Sequence, residues 1–134
     1  MTRRLLILES QPIIALDLAE RVRALGWLVC GPYSTTGEAL AGLEADAPDA
    51  GLLDLSGNAD ARAEPVADAM AARGLPFIFT NSHAKRFEAL HPDAPRLEKP
   101  FSDDEFLQAV SLLEGRNALR RSAKGTDREP PEPV

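Results

Sequence analysis

The chain has 134 residues, 44% of them hydrophobic and 27% charged, with a formal net charge of −6 and a single cysteine, Cys30. One cysteine excludes a disulfide framework and a multi-cysteine zinc site, and no apolar run approaches the roughly 20 residues of a membrane span. The acidic balance argues against non-specific nucleic-acid binding, which needs cations to neutralise phosphates. The length suits one folded domain, and the unpaired cysteine suits a reduced, cytoplasmic compartment.

Short apolar runs alternate with segments of helical period. Leu5–Leu8 is the first run, and Glu9 interrupts it too early for a secretory signal. Ser10 then reads as a helix N-cap. Ile14, Leu18, Val22 and Leu25 recur at helical spacing as one stripe, closed by Gly26. Trp27–Cys30 is the second run, with Trp27 and Cys30 read as packing residues. Thr35, followed three residues later by Glu38, forms a capping box that opens a helix with Ala39, Leu40 and Leu43 facing inward.

Ala50–Leu55 is the third run and carries Asp54. Pro65 suits the first turn of a third helix running through Val66, Ala69 and Met70 to a stop at Gly74. Pro76–Thr80 is the fourth run. Lys85–Leu90 is a short, weakly apolar candidate helix, and Arg96–Glu98 is a brief fifth run. Ser102 and Glu105 form a second capping box ahead of a last helix with Phe106, Val110 and Leu113 on one face. Apolar runs without polar alternation suit parallel strands covered on both faces. Five strand–helix repeats predict an α/β fold, a doubly wound five-stranded parallel sheet with right-handed crossovers.

The expected domain spans residues 1–115. Residues 116–134 form a charged, Pro-rich tail with no large apolar residue between Leu119 and the terminal Val134, expected to be disordered once the last helix frays within 117–121. Charge divides at the same place: 10 basic and 18 acidic side chains precede residue 115, against 5 and 3 from there on. Arg116, Arg120, Arg121 and Lys124 complement the negative end of a helix.

In a doubly wound sheet, functional groups gather beyond the carboxyl ends of the strands. Here those positions hold Glu9 and Ser10, Asp54 and Ser56, Thr80, and Lys99 with Pro100. Asp54 is expected at the exposed edge of the sheet, since burying an unpaired carboxylate is costly. A carboxylate, a hydroxyl and an ammonium on one surface are the parts needed to form and hold an acyl-phosphate.

Taken together, Leu6–Glu9 with Pro12, Leu52–Leu55, Phe79-Thr80 and Lys99-Pro100-Phe101 resemble the receiver domain of two-component response regulators over about residues 3–114. Pro65–Ala69 with Gly74–Phe77 further resembles the stand-alone, single-domain alphaproteobacterial receivers associated with HWE histidine kinases. The resemblance implies a flavodoxin-like (βα)5 fold with strand order 2-1-3-4-5. It implies a cytoplasmic bacterial phosphoprotein that takes a phosphoryl group on Asp54 and signals, or acts as a phosphate sink, through protein contacts. The resemblance implies no enzyme acting on an outside substrate, although receivers hydrolyse their own acyl-phosphate. Thr80 and Lys99 would bind the phosphoryl group. Mg²⁺ would be held by Glu9, Asp54 and the main-chain carbonyl of Ser56, and the Lys99–Pro100 bond would be cis. The implied partners are a sensor histidine kinase or phosphotransfer protein, met through the first helix, and a downstream target, met through the fourth helix, fifth strand and last helix. Neither nucleic acid nor membrane is implied, and the chain would be a monomer or weak dimer.

Three positions depart from the family pattern. Ser10 stands where the main metal-binding acid is expected, which weakens the Mg²⁺ site and supplies an alternative: a binding module that acts without phosphorylation. Arg96 stands where an aromatic residue would move together with Thr80 as a switch. Asn81-Ser82-His83 follows Thr80 where small residues are usual, and His83 and His91 read as loop residues. No Gly-rich phosphate loop or Ser–His pair supports a small hydrolase or nucleotide-binding protein on the same sheet.

Overall fold

The computed structural model describes residues 3–81 and 91–128, with side chains described as far as Arg116 and except at Asn81. Five strands alternate with helices: β1 (Arg4–Leu8), α1 (Pro12–Ala24), β2 (Leu28–Tyr33), α2 (Thr36–Asp46), β3 (Ala50–Asp54), α3 (Glu64–Ala72), β4 (Phe77–Asn81), β5 (Arg96–Glu98) and α4 (Asp103–Arg128). A 3₁₀ turn at Ala59–Ala61 leads into α3. The strands form one parallel sheet in the order β2-β1-β3-β4-β5, as expected. The candidate helix at 85–90 and the loop residue His83 lie outside the described residues. No helix among the described residues is long and apolar enough to cross a membrane.

Strand alternation sorts the core into two layers. Leu5, Ile7, Leu52, Ile78 and Leu97 face α1 and α4, meeting Leu18, Val22, Phe106, Val110 and Leu113. Leu6, Leu8, Leu53 and Phe79 face α2 and α3, meeting Leu43, Val66 and Met70. Each central strand is therefore covered on both sides, which is why its sequence is apolar without a break.

The helix ends follow the local chemistry. The Thr35 hydroxyl accepts the Glu38 N–H at 3.1 Å, and the Ser102 hydroxyl accepts the Glu105 N–H at 3.1 Å. Glu105 returns the bond to the Ser102 N–H at 2.8 Å, whereas Glu38 reaches back to the Ser34 N–H at 3.2 Å. Ser10 is not the cap of α1. Gln11 holds that position, with Pro12 in the first turn and no side-chain cap bond. The Glu9 carboxylate accepts the Gln11 N–H at 3.1 Å, so a strand-end acid sets the start of the helix and Ser10 lies one residue outside it. At the other end of the chain, the helical backbone of α4 passes through 116–128, beyond the fraying point at 117–121 expected from composition.

Among the described residues two X–Pro bonds are cis, the expected Lys99–Pro100 and also Gly31–Pro32 in the edge strand β2. Tyr33, one residue on, lies over Gly42 of α2 and donates its hydroxyl to Asp46 at 2.8 Å. Burial and that bond push the Tyr33 phenol up to about 12.

Candidate functional site

The pleat that sorts the core also places the polar groups. Glu9 continues the alternation of Leu5 and Ile7, Asp54 that of Leu52, Thr80 that of Ile78, and Lys99 that of Leu97. All four therefore project on the α1/α4 side, at the carboxyl ends of four adjacent strands. Register brings them level, with Asp54 paired to Thr80 across β3–β4 and the Leu55 N–H bonded to the Thr80 carbonyl at 2.7 Å.

Asp54 is not exposed at the sheet edge. It is 3% exposed, and Glu9 is 1% exposed. Lys99 makes that burial tolerable: its Nζ donates to Glu9 Oε1 at 2.8 Å and to Asp54 Oδ1 at 3.1 Å. A buried charge is held when it is paired and hydrogen-bonded, and here one ammonium serves two carboxylates. Burial by itself would lower the Lys99 pKa, but the Glu9 hydrogen bond and the Asp54 and Glu9 charges outweigh it and hold the ammonium above the ordinary lysine value.

The remaining donors are local. Ser56 gives both its N–H, at 3.2 Å, and its hydroxyl, at 2.7 Å, to Asp54 Oδ1. With Lys99, three hydrogen bonds converge on that one oxygen. Asp54 Oδ2 takes no hydrogen bond among the described residues. The Thr80 hydroxyl, in a residue 1% exposed, likewise makes no bond within the described residues. Thr80 is the register partner of Asp54.

Arg96 does not join this group. It pairs with Phe79, and its guanidinium lies 5.0 Å from the Phe79 ring centroid on the α2/α3 side. Thr80 pairs with Leu97 and faces the other way. The two residues expected to switch together thus leave the sheet on opposite faces. His91 is more than a loop residue: its Nε2 lies 2.7 Å from Asp68 Oδ1 of α3, and its ring packs edge-on to Phe77.

Two roles were not visible in the residue pattern. The Ser56 side chain and amide fix Asp54 through a turn in which a side-chain oxygen accepts from the residue two positions on; an Asp followed at that spacing by Ser is the signal that could have shown it. The Gln11 N–H does the same for Glu9.

A groove of about 510 Å³ opens beside Lys99 and Ser56 and runs between α1 and Phe101 over Ile14 and Leu18. At its far end Arg21 bonds Asp17 at 3.0 Å and Asp103 at 2.9 Å, tying α1 to the start of α4.

No protein-family model and no curated protein matches the chain. Solved structures do. A response regulator receiver protein from Sinorhizobium medicae WSM419 superposes with a TM-score of 0.76 and 26% identity, covering 86% of this chain and 97% of the other. SdrG from Sphingomonas melonis Fr1 gives a TM-score of 0.69 and 34% identity over 84% of this chain and 96% of the other. The response regulator PhyR from Brucella abortus gives 0.75 and 25% over 96% of this chain, which spans only 53% of that protein.

Proposed function

The chain belongs to the receiver domains of response regulators, and on that premise we propose that Asp54 accepts a phosphoryl group from a phosphohistidine donor and that the domain passes the signal on by protein contact. The observation that carries this reading is the Asp54 carboxylate, whose Oδ1 is pinned by Ser56 and Lys99 while Oδ2 takes no hydrogen bond among the described residues. A carboxylate fixed through one oxygen presents the other as a nucleophile, and an adjacent ammonium stabilises charge on the incoming group. The Thr80 hydroxyl is the donor placed to bind a phosphoryl oxygen once it arrives.

Receiver domains meet histidine kinases or phosphotransfer proteins on one side and effectors on the other. A donor of that kind suits this chain, and the groove between α1 and Phe101 leads directly to Lys99. Receiver domains also generally bind Mg²⁺ at the phosphorylation site. In this chain the holders would be Glu9, Asp54 and the Ser56 carbonyl. That donor set fits a resident Mg²⁺ poorly: Ser10 supplies no second acid, and the Lys99 ammonium already lies between Glu9 and Asp54 where a cation would sit. Mg²⁺ favours carboxylate and water oxygens in a regular octahedral shell.

The test is phosphotransfer from a panel of autophosphorylated histidine kinases to the wild-type chain and to Asp54→Asn. Labelling of the wild type and none of Asp54→Asn is expected. Equal labelling of both would remove Asp54 from the role. No labelling from any donor would favour the phosphorylation-independent binding module that Ser10 suggests.

A further inference from the structure

We propose that Lys99 is the resident cation of this site, so that Asp54 accepts a phosphoryl group without a divalent metal. The inference rests on Asp54 being the acceptor. Its basis is the occupancy of the acidic pair. Glu9 and Asp54 bring two negative charges, and Lys99, with its side chain 15% exposed, sits between them as a positive one. The core of the site therefore carries a net single negative charge where a second acid in place of Ser10 would make it two. No group of three or more His, Cys, Asp or Glu among the described residues is arranged to hold a metal ion.

A divalent ion entering this site has to share Glu9 Oε1 with the ammonium at 2.8 Å and Glu9 Oε2 with the Gln11 N–H at 3.1 Å, and it meets the positive charge of Lys99 beside it. Both oxygens are fixed by groups that other parts of the fold position: the Gln11 N–H by the start of α1, and Lys99 by β5. The ammonium already supplies a positive charge beside the nucleophile for an incoming phosphoryl group.

The step balances without a further ion. With an acyl phosphate as donor, a lone pair on Asp54 Oδ2 forms the new bond to phosphorus. The bond from phosphorus to the donor's acyl oxygen breaks, and that carboxylate leaves with the electron pair. No proton is transferred.

The experiment follows phosphorylation of the full chain by acetyl phosphate with intact-mass detection, in excess MgCl₂ and in excess EDTA, for the wild type and for Ser10→Asp. A parallel Mg²⁺ titration reads the backbone amides of Glu9, Gln11 and Ser56 by NMR. The wild-type rate is expected to change less than about 3-fold on chelation, and its amides to show no saturable shift up to about 20 mM Mg²⁺. Ser10→Asp, which restores a second acid, is expected to bind Mg²⁺ at least about 10-fold more tightly and to lose at least about 10-fold in rate with EDTA. A wild-type rate that falls about 10-fold or more on chelation overturns the inference while leaving Asp54 as acceptor. An adduct in neither condition overturns the acceptor reading itself, and this inference with it.

Discussion

Replacing Lys99 by Met removes the positive charge and keeps most of the side-chain volume. Glu9 and Asp54 would then face each other buried and unpaired. Their oxygens contact the same nitrogen at 2.8 and 3.1 Å, so they lie no more than the sum of those distances, 5.9 Å, apart. Two unit charges at that separation repel by about 3 kcal/mol at an effective dielectric constant near 20. Breaking a buried ion pair from one side costs about 3–5 kcal/mol by mutational experience, in agreement with that figure. Against a typical domain stability of about 5–15 kcal/mol, the variant should fold but only marginally. Urea unfolding of Lys99→Met should show a loss of about 3–5 kcal/mol at pH 7. The loss should shrink as the pH is lowered, because a protonated carboxyl is cheaper to bury than a carboxylate. A loss below about 1 kcal/mol, or one that stays constant between pH 7 and pH 4.5, would show that Lys99 does not hold the two acids in place.

Leu53 is fully buried between Leu8 and Phe79, so Leu53→Ala should cost about 2–5 kcal/mol in the same urea assay. Thr35→Ala removes the cap of α2 and should cost about 1 kcal/mol, with Thr35→Ser restoring most of it. Burial, followed by the charge of Asp46, pushes the Cys30 thiol up from 9.0 to about 11, so alkylation by iodoacetamide at pH 8 should run roughly 100-fold slower in the folded than in the urea-unfolded chain. Cys30, Tyr33 and Lys99 all have raised pKa values. In the windows above their ordinary values the folded chain binds more protons than the unfolded one, so stability should be flat near neutrality and fall as the pH climbs from about 9 through 11 and 12. A thermal melt that is unchanged at pH 10.5 would contradict the burial of these groups.

Much of the fold was legible because its causes are local. Uninterrupted apolar runs place β1 to β4 to within a few residues, whereas the three-residue β5 carries a single apolar residue, Leu97, between two charged ones. Ser or Thr three residues ahead of Glu places the starts of α2 and α4. The misplaced cap of α1 shows where local reading ends. Ser10 has the chemistry of a cap, yet the Glu9 carboxylate captures the Gln11 N–H and Pro12 begins the helix, so a tertiary role for Glu9 decides a local boundary. The burial of Asp54 was hidden for the same reason. An unpaired carboxylate belongs at an edge, and only Lys99, 45 residues away in sequence, changes that balance.

Register was the other hidden quantity, and it alone separates Thr80 from Arg96. Side chains alternate along a strand, so a shift of one residue moves a group to the opposite face. The positions of Thr80 and Arg96 in the chain make them look like neighbours at the ends of β4 and β5. The pairing of Phe79 with Arg96, and of Thr80 with Leu97, puts the hydroxyl on the acid side and the guanidinium on the Phe79 side. The same alternation gathers Glu9, Asp54, Thr80 and Lys99, each placed an even number of residues beyond a core position that faces α1 and α4. One parity rule, applied after the register is known, assembles these four groups and sets the Arg96 guanidinium over Phe79 on the other face.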